Sequence, residues 1–150
     1  MSIDLHCHTR YSDGSTPLEE LIQLAALRGV TTFALTDHDT MAGCECASEL
    51  GREAGVTVIP GVEISAADPK RHGKAHILCY KPKKPEVLLS LLQKTTDSRH
   101  AAMLRSVDKV CRLYAIPREM ILRRAEGSTN IYKQHVLQAL MDAGYASEMF

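Results

Sequence analysis

The sequence predicts an α/β fold in its first part and an all-helical arrangement in its second. Through residue 81, short strand-like segments alternate with helix-like segments, an order typical of parallel strands joined by right-handed crossovers. From residue 82 onward, apolar residues recur at helical spacing instead. The 150 residues match the size of about one ordinary domain, but this change of pattern predicts two parts, residues 1–81 and residues 82–150.

The first part opens with a strand predicted over residues 2–8, where apolar and polar residues alternate. A helix follows, for which Thr16 is the expected N-cap, Pro17 the first residue and Glu19 the capping-box partner; Gly29 ends it. Its predicted apolar stripe is Leu18, Leu21, Ile22 and Ala25. The remaining predicted elements are a strand over 30–36, a helix over 41–54, a strand over 57–65 broken at Pro60-Gly61, and a strand over 75–80. We expect all four strands to be parallel.

The second part contains helical patterns only. They predict a long helix over 86–114, a short helix over 118–126, and a final helix that Ser128 caps and Gly144 ends.

Composition argues against a membrane or secreted protein. No run approaches the ~20 apolar residues of a membrane span, and no signal sequence opens the chain. Five irregularly spaced cysteines favour a reduced, cytoplasmic protein. Because 18 Lys and Arg balance 18 Asp and Glu, and Trp is absent, we expect no stable nucleic-acid complex.

The charges are unevenly distributed along the chain. Residues 1–81 hold 7 Lys and Arg against 11 Asp and Glu, together with five of the seven histidines, whereas residues 82–150 hold 11 against 7. This division suggests metal binding in the first part and anion binding in the second.

His6 and His8 are the first candidate metal ligands. Residues two apart in a strand point to the same face, so both imidazoles leave the polar side of the first strand. Asp13, in the following turn, adds a hard oxygen ligand. The alternative is a pair of surface histidines near a terminus.

Three further candidates follow the later strands. His38 lies in Thr36-Asp37-His38-Asp39, where ionisable groups directly after an apolar strand are costly to bury unless they are needed; the segment could instead be an Asx turn. Glu63 and His76, read singly, are more typical of structural residues. Together, however, four predicted parallel strands each bring a histidine or carboxylate to or near one end, where barrel-like folds collect catalytic groups.

This set of ligands predicts the chemistry. Histidine and carboxylate without thiolate suit Zn²⁺, Mn²⁺ or Fe²⁺, while Cys44-x-Cys46 lacks zinc-finger spacing. Six candidates exceed one tetrahedral site, which predicts two or more ions. Adjacent ions can lower the pKa of a bound water to roughly 7 and hold the oxygens of a phosphoryl group, so we expect metal-assisted hydrolysis of a phosphate ester.

These motifs resemble the PHP (polymerase and histidinol phosphatase) superfamily. The resemblance covers residues 1–81 and rests on Asp4-Leu5-His6-Cys7-His8-Thr9, Ser12-Asp13-Gly14, Thr36-Asp37-His38-Asp39-Thr40, Gly61-Val62-Glu63 and His76-Ile77-Leu78. The second part is similar to the insertion of one branch, the metal-dependent phosphoesterases related to 3′,5′-nucleoside bisphosphate phosphatases. That similarity is carried by the segment from His135 to Leu140 and by Ala143-Gly144-Tyr145.

The resemblance implies the N-terminal part of a distorted seven-stranded (β/α) barrel with an inserted all-helical subdomain and up to three metal ions. His6 and His8 would hold one ion, which Glu63 would bridge to another; Asp13 and His38 would hold a second, and His76 would contribute to a third. A metal-bound hydroxide would serve as nucleophile, with no catalytic side chain.

Two residues of the second part match positions that contact a substrate phosphate in this branch, Arg99 and His135. Arg99 could equally be a solvated charge on a helix, and His135 a buried core histidine; Lys133 is a weaker candidate of the same kind.

The expected function is hydrolysis of a phosphomonoester on a small nucleotide-like substrate such as a nucleoside 3′,5′-bisphosphate. The alternatives are a 5′–3′ exonuclease acting on short RNA or DNA, and a metal-binding fragment without turnover. Family members continue with a further histidine and a late Asp-x-His motif that this sequence lacks. We therefore expect a truncated chain whose site a missing C-terminal segment or a partner chain completes.

Overall fold

The structure, a computed structural model, describes residues 2–68, 70 and 73–148. The chain divides into two compact units, Met1–Thr95 and Thr96–Phe150. The elements are β1 (Ser2–Cys7), α1 (Leu18–Leu27), β2 (Val30–Leu35), α2 (Cys44–Glu53), β3 (Thr57–Asp68), β4 (Gly73–Tyr80), α3 (Pro85–Tyr114), α4 (Arg118–Arg124) and α5 (Lys133–Asp142). The predicted α/β class and the succession of elements are confirmed.

The strands of the first unit form one sheet in the order β1-β2-β3-β4. β1 pairs with β2, and β2 with β3, in parallel as predicted. The prediction of a fourth parallel strand is wrong, because β3 and β4 form an antiparallel pair from Gly61↔Tyr80 to Asp68↔Gly73. A parallel connection needs a crossover of about a dozen residues or more, and the short segment between Asp68 and Gly73 cannot supply one.

Pro60 and Gly61 mark a change of partner rather than the predicted break in β3. Pro60 is the last β3 residue paired with β2, opposite Leu35, and Gly61 is the first paired with β4. The backbones approach closely here, since a Cβ on Gly61 would lie 2.9 Å from the carbonyl oxygen of Cys79. A glycine therefore allows β3 to continue while it exchanges neighbours.

The core of the first unit lies between the sheet and α1 and α2. The predicted apolar stripe of α1 is confirmed, with Leu18 and Ile22 buried against Phe33 and Leu35. The predicted cap at Thr16 is wrong. α1 begins at Leu18 without a side-chain cap, and the carbonyl of Thr16 accepts the N–H of Arg10.

The helices of the second unit enclose a separate core. Its buried residues are Val107, Ile116, Ile121, Ile131, Val136 and Ala139. The predicted cap at Ser128 is wrong, because α5 begins at Lys133 and Tyr132 is its N-cap. Gly144 follows α5 at φ 78°, as the predicted stop requires. No helix in the described part of the chain has both the length and the apolar character needed to cross a bilayer.

Candidate metal centre

The six predicted ligand candidates meet at one edge of the sheet. His6 lies on β1, His8 and Asp13 lie in the segment between β1 and α1, and His38 follows β2. Glu63 and His76 face each other across β3 and β4. The structure thus assembles residues that are up to 70 positions apart in the sequence.

Glu63 is the centre of this cluster. Its Oε2 lies 2.8 Å from His6 Nε2, 2.7 Å from His8 Nε2 and 3.6 Å from His38 Nδ1, and its Oε1 lies 2.6 Å from His76 Nδ1. The Glu63 side chain is only 6% exposed. One buried carboxylate therefore touches or approaches all four imidazoles.

Asp13 supplies the second carboxylate. Its Oδ1 lies 2.7 Å from His8 Nδ1 and its Oδ2 lies 3.5 Å from His38 Nε2. His8 and His38 consequently lie between two carboxylates, with one ring nitrogen directed to each.

Backbone pairing explains why His38 and Glu63 lie together. The parallel pairing of β2 with β3 resumes beyond the end of β2, where His38 and Glu63 form a bridge. The N–H of Glu63 donates to the carbonyl of Asp37 at 3.2 Å, and the N–H of Asp39 donates to the carbonyl of Glu63 at 3.0 Å. The two side chains are therefore neighbours on adjacent strands.

His76 lies next to Glu63 because of an antiparallel strand pairing, not because of the predicted parallel one. It pairs with Ser65 on the antiparallel strand, while Glu63 pairs with Leu78, so His76 and Glu63 are diagonal neighbours on the same face. His76 does not lie at the carboxyl end of a parallel strand; it belongs to a strand running in the opposite direction.

The electrostatics of the cluster favour ionised carboxylates. Burial raises the pKa of Asp13, but the hydrogen bonds and charges of His38 and His8 outweigh it and hold that pKa well below its ordinary range. Burial also raises the pKa of Glu63, and the histidines, His6 foremost, bring it below its ordinary value. Burial lowers the pKa of His8, yet Asp13 and Glu63 raise it overall.

The donor atoms fit divalent metal ions. Three groups each place their ligand atoms within 4.8 Å of one another: His6, His8 and Glu63; His8, Asp13 and His38; and His38, Glu63 and His76. His8 Nε2 is buried and lies 2.7 Å from Glu63 without the geometry of a hydrogen bond. Imidazole and carboxylate donors suit Zn²⁺, Mn²⁺ or Fe²⁺.

The nearby thiols of Cys7 and Cys44 are not candidate metal ligands. Burial, with the charge of Asp4, raises the pKa of the Cys7 thiol to about 12, which disfavours the thiolate that would bind a metal. Buried Cys44 directs its Sγ to the carbonyl of Gly61 at 3.4 Å. Cys7 and Cys44 also contribute to the apolar core.

Asp37 is buried beside the centre at 2% exposure, and no role for it was predicted from the sequence. It accepts hydrogen bonds from Thr9 and Ser12, the neighbours of His8 and Asp13. The available signal was an ionisable group directly after an apolar strand. Its partners lie 25 to 28 residues away and were not recognisable from local pattern.

In the second unit, Arg99 and His135 both contact the aromatic ring of Tyr132. The guanidinium carbon of Arg99 lies 5.1 Å from the ring centroid of Tyr132, and the His135 ring meets that ring edge-on at 5.8 Å. His135 is 2% exposed, and its Nδ1 accepts the N–H of Tyr132 at 3.2 Å. In the neutral ring the hydrogen therefore lies on Nε2. Lys133, the first residue of α5, is exposed.

Comparison with known proteins identifies the family. The PHP domain family model matches residues 4–143. The chain belongs to the PHP domain family. The predicted membership is thereby confirmed.

Three similar proteins illustrate the relationship. A phosphoribosyl 1,2-cyclic phosphate 1,2-diphosphodiesterase from Eggerthella lenta is 40% identical over 98% of this chain and 57% of its own length. A 3′,5′-nucleoside bisphosphate phosphatase from Chromobacterium violaceum is 41% identical over 44% of this chain and 23% of its own. A solved structure from Bifidobacterium adolescentis, described as a metal-dependent phosphoesterase, matches with TM-score 0.88 and 30% identity over 98% of this chain and 52% of that one. The chain thus spans about half the length of the first relative and of that structure.

Proposed function

We propose that this PHP chain binds divalent metal ions and acts in the hydrolysis of phosphate esters on small phosphorylated pentoses. The observation that carries the proposal is the convergence of four imidazoles on the buried Glu63 carboxylate, with Asp13 beside them. Relatives named as a phosphodiesterase and a phosphatase support the reaction class.

We assign the metal ligands as follows. His6, His8 and Glu63 would hold one ion, and Asp13 and His38 would hold a second, with Glu63 shared between the two; His76 would contribute to a third. When bound, such ions polarise the phosphoryl group and promote deprotonation of water. The ionised carboxylates supply the negative charge that stabilises cations in this partly buried cluster.

The protein groups proposed to bind phosphate are Arg99 and His135. Arg99 can bind a phosphate with two parallel hydrogen bonds, and its stacking against Tyr132 restricts the guanidinium before substrate binds. In the neutral ring, His135 carries its hydrogen on Nε2, because its Nδ1 accepts the N–H of Tyr132. A neutral imidazole can therefore donate to a phosphate oxygen without first gaining a proton.

Two substrates are candidates within this class. A 1,2-cyclic phosphate of a phosphorylated ribose is favoured by the relative from Eggerthella lenta, whose match extends over 98% of the chain. A nucleoside 3′,5′-bisphosphate is supported by the bisphosphate phosphatase, whose match covers 44% of the chain.

The free thiols of all five cysteines are in keeping with the proposed location in the reducing cytoplasm.

The test is a substrate panel on the purified chain after chelation and reconstitution with Mn²⁺, Zn²⁺ or Fe²⁺ in turn. The panel contains a 5-phosphoribose 1,2-cyclic phosphate, a nucleoside 3′,5′-bisphosphate and a short 5′-phosphorylated oligoribonucleotide. We expect hydrolysis of one of the first two, lost in H8A. Preference for the oligonucleotide would favour an exonuclease, and metal binding without turnover of any compound would favour a metal-binding chain that needs further residues.

A further inference from the structure

We propose that Asp37 is a positioning residue that fixes His8 and Asp13 for metal binding through the loop between β1 and α1. The inference deepens the proposed function, since it concerns the same metal centre. Asp37 does not belong to any of the candidate ligand groups found in the described residues.

The carboxylate of Asp37 is joined to both ends of the ligand-bearing loop. Its Oδ1 accepts the N–H of Thr9 at 2.8 Å and the hydroxyl of Ser12 at 2.5 Å, and its Oδ2 accepts the hydroxyl of Thr9 at 2.7 Å. Thr9 directly follows His8, and Ser12 directly precedes Asp13. Each candidate ligand is therefore one residue from a group that Asp37 holds.

The loop transmits this restraint because Thr9 also organises its turn. The carbonyl of Thr9 accepts the N–H groups of Ser12 and Gly14, both at 3.0 Å, and its hydroxyl accepts the N–H of Tyr11 at 3.2 Å. The turn is tight, since a Cβ on Gly14 would lie 2.9 Å from the carbonyl oxygens of His8 and Thr9. A displaced Thr9 would therefore move the backbone on both sides.

The neighbours of Asp37 connect the other strands in the same way. The N–H and hydroxyl of Thr36 donate to the carbonyl of Cys7 at 2.9 and 3.2 Å. Asp39, at φ 53°, accepts the N–H of Ser65 through its Oδ1 at 2.8 Å. Thr36 therefore binds the end of β1 and Asp39 binds β3, while His38, which lies between them in the sequence, belongs to the metal-ligand cluster.

A buried carboxylate is costly unless hydrogen bonds satisfy it, and the three donors of Thr9 and Ser12 do so. Neutral threonine and serine donors could also serve a merely structural purpose. A positioning role differs from a structural one in its effect on metal binding, because metal affinity depends on how the ligand atoms of His8 and Asp13 are oriented.

The experiment compares D37A, D37N and S12A with the matched control T31V. T31V removes the hydrogen bond from the Thr31 hydroxyl to the carbonyl of Ser2, which also joins β1 and β2 but lies at the start of β1. Zn²⁺ affinity is measured by chelator competition and the Co²⁺ absorption spectrum is recorded, at a temperature where circular dichroism shows each variant folded. We expect D37A to weaken Zn²⁺ binding at least about tenfold, as loss of outer-shell partners does, and to alter the Co²⁺ bands. D37N, which keeps an acceptor oxygen, recovers part of the loss, S12A shows a smaller loss, and T31V matches the wild type.

Wild-type affinity and spectrum in folded D37A would overturn the proposal, whatever the melting temperature. If D37A does not fold, S12A decides, and an unchanged affinity and spectrum in S12A overturns it. A wild-type chain that binds Zn²⁺ but hydrolyses no phosphate ester, with D37A binding more weakly, contradicts the proposed function and supports the role of Asp37. A chain that binds no metal contradicts both.

Discussion

His76 and Glu63 meet diagonally across an antiparallel pair of strands, with 2.6 Å between His76 Nδ1 and Glu63 Oε1. The His76 side chain is 49% exposed, whereas that of Glu63 is 6% exposed. His6, also 49% exposed, contacts the other oxygen of the same carboxylate. Within the first unit, the buried carboxylate is therefore contacted by two imidazoles that are themselves half exposed to solvent.

Replacement of His76 by alanine should remove one candidate ligand group and leave the other two intact. We expect H76A to bind less Zn²⁺ per chain than the wild type, or to bind its weakest ion at least about tenfold less tightly, with little change in melting temperature because the side chain is half exposed. Elemental analysis and chelator competition measure this. The control is K74A, an exposed residue on the same strand. Identical metal binding by H76A and K74A would exclude His76 as a ligand.

The metal-free protein should be most stable in mildly acidic solution. The depressed pKa of Asp13 stabilises the fold above the ordinary value of 3.8, and this contribution is lost as pH falls through the lower folded pKa. The raised pKa of His8 stabilises the fold below the ordinary value of 6.5, and this contribution is lost as pH rises through the folded pKa. Thermal unfolding with chelator from pH 3 to pH 9 should therefore show a maximum between those values.

D13N should flatten this pH profile, because it removes the carboxylate and the main partner that raises the pKa of His8. E20Q, an exposed change on α1, should preserve the profile. A D13N profile that coincides with the wild type would show that the Asp13–His8 pair does not govern the pH dependence.

Arg99 should bind phosphate in a way that lysine cannot reproduce. R99K keeps the charge but loses the planar fork, so KM for the preferred substrate should rise about tenfold to 100-fold, equivalent to the ~1.5–3 kcal/mol of one charge-assisted hydrogen bond. R105K, an exposed change on the same helix, is the matched control. Steady-state kinetics decide, and an unchanged KM in R99K would place Arg99 outside the phosphate site.

Local pattern predicted much of this fold, because its signals are short-range. The alternation over residues 2–8 placed His6 and His8 on one face, and the apolar stripe of α1 predicted Leu18 and Ile22 in the core. Gly29 and Gly144 were correct helix stops, since both take the positive φ that glycine tolerates.

Features that depend on residues far apart in the sequence could not be predicted from local pattern. The direction of β4 depends on how many residues remain after β3, and β3 extends three residues past its predicted end. Thr16 and Ser128 have the chemistry of N-caps, yet the helices begin two to five residues later, where the tertiary fold sets their first turns. The role of Asp37 depends on a loop 25 to 28 residues away.

Replacement of Glu63 by glutamine should disrupt the metal centre, because Glu63 belongs to two of the three candidate groups and touches or approaches four imidazoles. The measurement is the metal content of wild type and E63Q after chelation, reconstitution with Zn²⁺ and buffer exchange. We predict at least one ion per chain in the wild type and a lower metal content in folded E63Q. The reason is that loss of a ligand should weaken metal affinity by more than the roughly 10–100-fold caused by outer-shell changes. Equal metal content in the two proteins, or none in the wild type, would contradict a metal centre built on Glu63.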